Sequence, residues 1–406
     1  QYKIDDYLGA VGLEGVLPGY VTLAASLLLA ALEFSLGIFM LLAIRRRQVS
    51  RIILIFMSLM TLITVWLAVG NPIPDCGCFG DAIHLTNWQT LGKNIVLLAA
   101  AAVVARWPLK MVRFISRPNQ WIAINFTILF IVMTSVYCLW YLPLFDFRPY
   151  HIGANIPKGM EIPEGAEQPV FETTFVMEKD GKRKTFNVDN YPDSTWQFID
   201  SKTVVVKEGY VPPIHDFAIQ LADGDDITEE VLGHKGYTFL LISPHLEVAD
   251  DSNFGSIDQI YEYAQEQHIP FYCLTASTEG AIQHWEDITG AEYPFCLTDE
   301  TTLKTIIRSN PGLLLIKDGT IIRKWSHNDL PTADALQGPL NKLEIGHLPE
   351  ESAAKTITQV ALWFFIPLLL LIIADRTWAW SLYIRRKIRK GEALLKKEEQ
   401  KIMHNR

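Results

Sequence analysis

Long unbroken apolar runs, separated by short polar connections, fill the first third of the chain. Residues 20–44, 52–69, 88–107 and 121–142 each supply such a run, and 357–374 repeats the pattern toward the other end. A helix rises 1.5 Å per residue, so about 20 apolar residues cover the ~30 Å hydrocarbon layer of a bilayer. Each run therefore predicts a membrane-crossing helix, and none is a signal peptide, because each sits inside the chain. Between 150 and 350 the apolar runs shorten to strand length. "FETTFVMEKDGKRKTFNV" predicts a hairpin with Asp180-Gly181 as a type I′ turn, and "KTVVVKEG" adds a strand. From Pro213 onward strands and helices alternate. "YTFLLIS" is a buried strand, Ser256–His268 a helix, and "IPFYCLTAS" a strand. "STEGAIQHWEDITG" is a helix capped by Ser277 or Thr278 with a glycine stop, "YPFCLTDE" a strand, and "ETTLKTIIRS" a helix. "NPGLLLIKDGTIIRKWS" closes the series as a hairpin around Asp318-Gly319. Such alternation predicts parallel β-α-β units with right-handed crossovers.

The charges orient the spans. "RRRQVSR", "RWPLKMVRFISR" and "RRKIRKGEALLKKEEQK" are the basic connections, and Lys and Arg near helix ends mark the cytoplasmic side. Residues 71–90 contain no Lys or Arg, and 143–355 hold 35 acids against 16 bases. The alternation is consistent through five spans. It puts the N-terminal stretch, the 71–90 loop and the large domain on the non-cytoplasmic side, with the C-terminus cytoplasmic. A non-cytoplasmic Gln1 leads us to expect one further span, or a cleaved leader, before it. The composition agrees with membrane residence, 49% of the 406 residues being hydrophobic. The expected organisation is a membrane domain over 1–117, another span within 118–149, and a β-rich extension over 150–210. An α/β domain over 211–350 follows, then a C-terminal span and basic tail over 351–406. The fold class is thus a multi-pass α-helical membrane bundle plus an α/β extracytoplasmic domain with an extra β-hairpin region.

Five cysteines are too few for a disulfide-built framework in a chain this long, and the odd count leaves at least one thiol unpaired within a monomer. Cys76 and Cys78 flank Gly77 in "NPIPDCGCFGDAIH". An i, i+2 disulfide requires the chain to bend there, which glycine permits, and the strained ring would be oxidising. Asp75 and Asp81 oppose thiolate formation. A redox-active pair, a static turn and a metal site are the three readings. Metal has the least support, since His84 is the sole further ligand nearby and structural zinc takes four; no metal is assigned. Cys138, near the outer end of its span, is a packed or lipid-facing thiol, or one that approaches the turn. Cys273 and Cys296 follow aromatics in apolar strands and are buried structural residues or, if their strands are neighbours, a disulfide. Glu33, in the middle of a span, is a functional candidate because an intramembrane carboxyl is costly. Proton coupling or quinone contact stands against a protonated helix–helix hydrogen bond. No cofactor is otherwise implied, although a quinone would suit Glu33. Gly-rich phosphate loops, a Ser-His-Asp set and H-E-x-x-H are absent, and nothing suggests nucleic-acid binding. The partners expected are the bilayer and a periplasmic protein, with the oligomeric state open.

Two family resemblances sharpen this. "VPPIHDFAIQLADGDDITEEVLGHKGYTFLLIS" and "RSNPGLLLIKDGTI" resemble the TlpA/thioredoxin-like family over about residues 211–345. The resemblance puts Pro311 in the cis-proline position, where it could help hold a peptide. Where that family carries C-x-x-C, this chain has "SPHLEV", Ser243–Val248, so the resemblance implies a domain without ordinary dithiol exchange. "AALEFSLGIFMLLAI", the basic loop, the next span and "PIPDCGCFGD" resemble the MauE/DoxX group of four-span membrane proteins, and Glu33 matches a Glu in the same span of that group. MauE is associated with maturation of a disulfide-rich periplasmic enzyme and is partnered by a TlpA-like protein. The chain therefore looks like a Bacteroidetes-type DoxX family protein with both parts fused, in the inner membrane of a Gram-negative-type cell. The resemblances imply periplasmic thiol–disulfide handling or protein maturation through Cys76 and Cys78. The alternative is a non-enzymatic membrane scaffold or partner-binding subunit that uses a redox-inactive thioredoxin-like domain.

Overall fold

In the computed structural model the described residues are 2–13, 16–73, 77, 80–83, 85–166, 170–179, 182–187, 197–207, 209–215, 217–349 and 353–404. The chain divides into two units, Gln1–Phe147 with Glu351–Arg406, and Arg148–Glu350.

The first unit is helical. Its elements are α1 (Tyr2–Ala10), α2 (Gly19–Leu41), α3 (Arg46–Gly70), α4 (Asn87–Arg106) and α5 (Gln120–Trp140). Among the described residues, α2 to α5 and the C-terminal helix Ala353–His404 are long and apolar enough to cross a membrane. This is a multi-pass membrane protein. The sequence pattern makes residues 45–51 a loop, but α3 already begins at Arg46. The reversal is confined to a few residues, with Ala43 and Arg45 at φ 52° and 40°, and arginine is a good helix former. The C-terminal basic tail likewise continues the last span as one helix, with Pro367 inside it. Phe364 and Leu368 of that helix pack with Ile38, Leu42, Ile44, Ile115 and Ala123. Phe364 also lies edge-on to Phe34, their centroids 5.2 Å apart. The short helix α1 is not anticipated by the hydropathy pattern. Its Tyr7 packs against buried Leu67 and Ile73.

Polar locks gather the basic segments at one end of this bundle. Arg46 donates to the carbonyls of Leu109 (3.1 Å) and Met111, and the Arg45 amide donates to Gln120 Oε1 (3.2 Å). Buried Asp375 accepts from the Ser116 amide (2.8 Å), the Ser116 hydroxyl (2.5 Å) and Asn119 Nδ2 (2.6 Å). Its carboxylate thus takes up donors that precede α5, where a helix start leaves N–H groups unpaired.

The second unit opens with α6 (Ile156–Met160). Strands β1 (Val170–Lys179), β2 (Lys182–Asn187) and β3 (Gln197–Lys207) form an antiparallel sheet in the order β2-β1-β3. The Lys179↔Lys182 pair leaves two residues for the connection, as a two-residue hairpin requires; Asp180 and Gly181 themselves lie outside the described residues. Then follow α7 (Thr228–Gly233), β4 (Tyr237–Ser243), α8 (Phe254–Glu266), β5 (Phe271–Thr275), α9 (Glu279–Thr289), β6 (Phe295–Leu297), α10 (Glu300–Ile306), β7 (Gly312–Lys317) and β8 (Thr320–Ser326). The sheet order is β6-β5-β4-β7-β8, with β4, β5 and β6 parallel and β7 and β8 antiparallel. Asp318 and Gly319, both at positive φ, make the β7–β8 turn, and Gly290 at φ 74° stops α9. Phe239 and Leu241 of β4 pack with Ile257 and Ile260 of α8 and Trp285 of α9. The intervening Leu240 and Ile242 are equally buried on the other face, where α10 contacts β4 and β5. A mixed sheet of this order, covered on both faces, is the thioredoxin-like fold. Residues 153–156 bond to its hairpin through Gly153 N to Ile321 O (2.8 Å) and Ile156 N to Gly319 O (2.9 Å).

Candidate functional site

Chemistry-bearing residues gather in one place in each unit. In the membrane unit it is the connection between α3 and α4, whose two ends are fastened together. Asn87 Nδ2 donates to Asn71 Oδ1 (2.9 Å) and to the Ile73 carbonyl (2.8 Å). Thr86 and Gln89 form a capping box at the start of α4. Between these ends Gly77 stands at φ 67°, the left-handed region that glycine enters without steric cost. The Lys3 stem of α1 crosses it closely enough that a Cβ at 77 would come within 2.7 Å of Lys3 Cγ. The described backbone at Gly77 is thus left-handed, and a lysine stem lies over it. Cys76, Cys78, Asp75 and His84 lie outside the described residues. Glu33 on α2 interacts electrostatically with Lys93 on α4. Cys138 is an unbonded, half-buried thiol of α5.

In the thioredoxin-like unit the residues that replace C-x-x-C are tied down by hydrogen bonds. The Ser243 hydroxyl, fully buried, donates to Asn310 Oδ1 (2.7 Å), and Asn310 Nδ2 donates to the His245 carbonyl (2.8 Å). The Leu246 amide donates to Ser277 Oγ (2.8 Å), which donates to Glu247 Oε2 (3.0 Å). His245 Nε2 is 2.9 Å from Glu300 Oε1, and Lys304 reaches the same oxygen. Hydrogen bonds from Lys304 and then His245 hold the Glu300 carboxyl below its ordinary range. The Asn310–Pro311 peptide is cis, as the sequence position of Pro311 implies. Beside it Ser309 Oγ contacts His327 Nδ1 (2.8 Å), and His327 Nε2 lies 3.6 Å from Asp250. The hydroxyl and amide of Ser252 lower the Asp250 pKa. The segment itself opens no α-helix: residues 246–248 make one 3-10 turn, and α8 begins at Phe254, while α10 begins at Glu300, which His245 contacts.

The Cys273–Cys296 disulfide is not formed. The strands are neighbours, but Cys273 pairs with Phe295 and Cys296 with Leu274, so the two thiols project from opposite faces of the sheet. Burial pushes the Cys273 thiol well above its usual range and the Cys296 thiol up to about 11. Both are core residues.

Residues 2–107 match the family of methylamine utilisation protein MauE. A second match, over 171–208, is to a domain of unknown function, DUF8463, and spans most of β1–β3. None of the curated proteins matches the chain. Among solved structures, a solution structure of a candidate protein disulfide isomerase from Bacteroides thetaiotaomicron is similar at 18% identity, covering 28% of this chain and 76% of that one with a TM-score of 0.23. An uncharacterised conserved protein from Geobacillus kaustophilus is similar at 14% identity, covering 34% and 82% with a TM-score of 0.26. Bacterioferritin comigratory protein of Xanthomonas campestris is similar at 12% identity, covering 28% and 83% with a TM-score of 0.22. Strand order and face coverage, rather than these alignments, carry the fold assignment.

Two residues of the MauE-like segment escaped the sequence reading. Lys93 is an ionisable group inside an apolar run, which is the same signal that singles out Glu33. Lys3 carries no such signal, because only the folding of α1 brings it to Gly77. Among the described residues no cluster of three or more His, Cys, Asp or Glu forms a metal site.

Proposed function

We propose that this membrane protein serves periplasmic thiol–disulfide handling or protein maturation, with Cys76 and Cys78 as the redox pair. The thioredoxin-like domain binds the client and exchanges no disulfide itself. The observation that carries the proposal is the left-handed Gly77, the residue between the two cysteines, beneath the Lys3 stem. A client thiolate attacks one sulfur of the Cys76–Cys78 bond and releases the other as a thiolate. The second client thiol then displaces the mixed disulfide, leaving an oxidised client and a reduced pair. A two-electron acceptor, for which a membrane quinone has the right chemistry, restores the disulfide. The absence of Lys and Arg from residues 71–90 supports a periplasmic position for the turn.

Alkylation gel-shift trapping of the full chain in intact cells tests this. A redox role predicts a mixed population of Cys76/Cys78 that moves with added reductant or oxidant. Thiols that stay fully reduced under both treatments would sink it. The second reading, a non-enzymatic scaffold whose acidic domain recruits a periplasmic partner, is favoured by the hydrogen-bonded Ser243–Val248 segment. It predicts that Cys76→Ser and Cys78→Ser variants keep full function in the host.

A further inference from the structure

The polar locks at the basic end of the bundle leave a concentration of charge unanswered. Arg376, on the C-terminal helix, donates from Nε to the Phe114 carbonyl (3.1 Å) and from Nη2 to the Arg113 carbonyl. Arg46, on α3, donates to Leu109 and Met111 on the same connecting segment. Two arginines from different helices thus grip the loop that carries Arg113, and Arg117 follows on that loop. The half-buried Arg113 has its Nε shut off from solvent with no hydrogen-bond partner among the described residues. An unpaired buried donor costs free energy, more so when the group is charged.

Among the described residues one carboxylate, Asp375, attracts Arg376, and the other guanidinium groups remain in excess of it. Residues 42–52 and 106–118 contain no Asp or Glu. Asp375 is the adjacent acid, and its oxygens already accept three hydrogen bonds from Ser116 and Asn119. Burial first, and then the like charges of Arg46, Arg117 and Arg376, draw the Arg113 guanidinium below its ordinary range. Arginine nevertheless stays charged, so this side of the cluster stays cationic. A topological signal alone would need basic residues near helix ends, without convergence on one loop. The level is also that of lipid headgroups. Trp107, at the end of α4, carries Arg106 and Lys110 over its ring, and Trp378 lies exposed just past Arg376; aromatic side chains of this kind sit at the bilayer interface.

We propose that Arg46, Arg113, Arg117 and Arg376 form a binding site for the phosphate of an anionic phospholipid headgroup. The phosphodiester accepts from guanidinium hydrogens of the four arginines that the backbone carbonyls leave unused. Planar guanidinium forks suit phosphate oxygens better than lysine does. The site is independent of any thiol chemistry in the protein.

The test uses the full chain in nanodiscs of phosphatidylcholine with increasing phosphatidylglycerol, and lipid retention is read by native mass spectrometry. Arg113→Gln and the exposed Arg117→Gln should each weaken phosphatidylglycerol retention, Arg113→Gln by about tenfold or more, as loss of charge-assisted hydrogen bonds implies. Arg386→Gln removes the same charge about 15 Å farther along the helix. That is beyond the ~8 Å screening length at physiological salt, and it should change retention by less than about threefold. Size-exclusion profiles of the variants exclude misfolding, and Arg117→Gln stands if Arg113→Gln fails to assemble. Equal effects at residues 113, 117 and 386 would overturn the site in favour of general attraction to a basic surface. Thermal protection by inorganic phosphate alone, with no preference for phosphatidylglycerol, would overturn the lipid source.

Discussion

Replacing Asn310 with alanine should loosen the centre of the thioredoxin-like sheet by an amount that depends on Ser243. The side chain of Asn310 accepts from the Ser243 hydroxyl at 2.7 Å and donates to the His245 carbonyl at 2.8 Å. Each bond contributes about 1 kcal/mol net, and the stranded, fully buried Ser243 hydroxyl adds about 1–3 kcal/mol. The sum is about 3–5 kcal/mol, a factor of roughly 150 or more in a local opening equilibrium. Hydrogen exchange of β4 and β7 peptides in the detergent-solubilised full chain reads that factor directly. In a Ser243→Ala background neither that bond nor a stranded hydroxyl remains to be lost, so Asn310→Ala should cost about 2–4 kcal/mol less. Equal costs in both backgrounds would show that the Ser243–Asn310 bond does not fasten the segment.

Three further outcomes follow from the charges and thiols. Lys3→Met removes the ammonium that pairs with Asp6 (3.7 Å) on the helix crossing Gly77, so the pH midpoint for Cys76/Cys78 alkylation should rise; an unchanged midpoint counts against its tuning role while leaving the redox pair standing. Cys296, its thiol pushed up to about 11 by burial, should resist maleimide at pH 8 in the folded chain and react only after denaturation, as should Cys273. Because the folded-state Glu300 carboxyl lies below its ordinary 4.5, its contribution to stability is present above that pH and is lost as pH falls through the folded value. Glu300→Gln should therefore flatten the acid limb of the thermal-unfolding profile below pH 4.5 and lower stability at pH 7, and a limb as steep as the wild type's would refute it.

Much of the architecture can be read in the chain because two periods differ so plainly. Runs of about 20 apolar residues have one physical solution in a bilayer, and short runs between turn signals have few in water. Asp318-Gly319 announced a hairpin and Gly290 a helix end because each supplies a left-handed backbone that other residues supply poorly, whereas Thr278 stands at the N-cap position without a side-chain cap bond. What escaped was register and tertiary placement. The aromatic–Cys repeat in β5 and β6 suggested two buried thiols or, between neighbouring strands, a bridge; a one-residue offset between the parallel strands sends the thiols to opposite faces and leaves them buried and free. Lys3, Asn310 and Ser277 each act across long sequence separations, and their own neighbourhoods say nothing of the partner. The arginine connection at residues 45–51 was legible as charge but not as helix, because charge pattern and helix propensity coincide there.

The thiol missing at Ser243–Val248 is one of three physical departures from a dithiol site, and each acts independently. A low-pKa cysteine needs a helix N-terminus or a nearby cation. Here the chain makes a single 3-10 turn at 246–248, and α8 begins only at Phe254, so the segment does not itself open a helix. The charged groups beside it are carboxylates as well as a lysine. Glu247 is held by Ser277, and Glu300 faces His245, with Lys304 turned onto that same Glu300 oxygen and so partly neutralised. A cysteine placed there would feel little that favours its thiolate. Meanwhile Asn310 fastens the segment to the cis-proline loop, the surface along which an extended client could lie. Rigidity of that kind lowers the ordering cost of binding, whereas disulfide exchange needs an accessible sulfur. On the function proposed above, the α/β domain holds the client and the electron transfer falls to the cysteines on either side of Gly77.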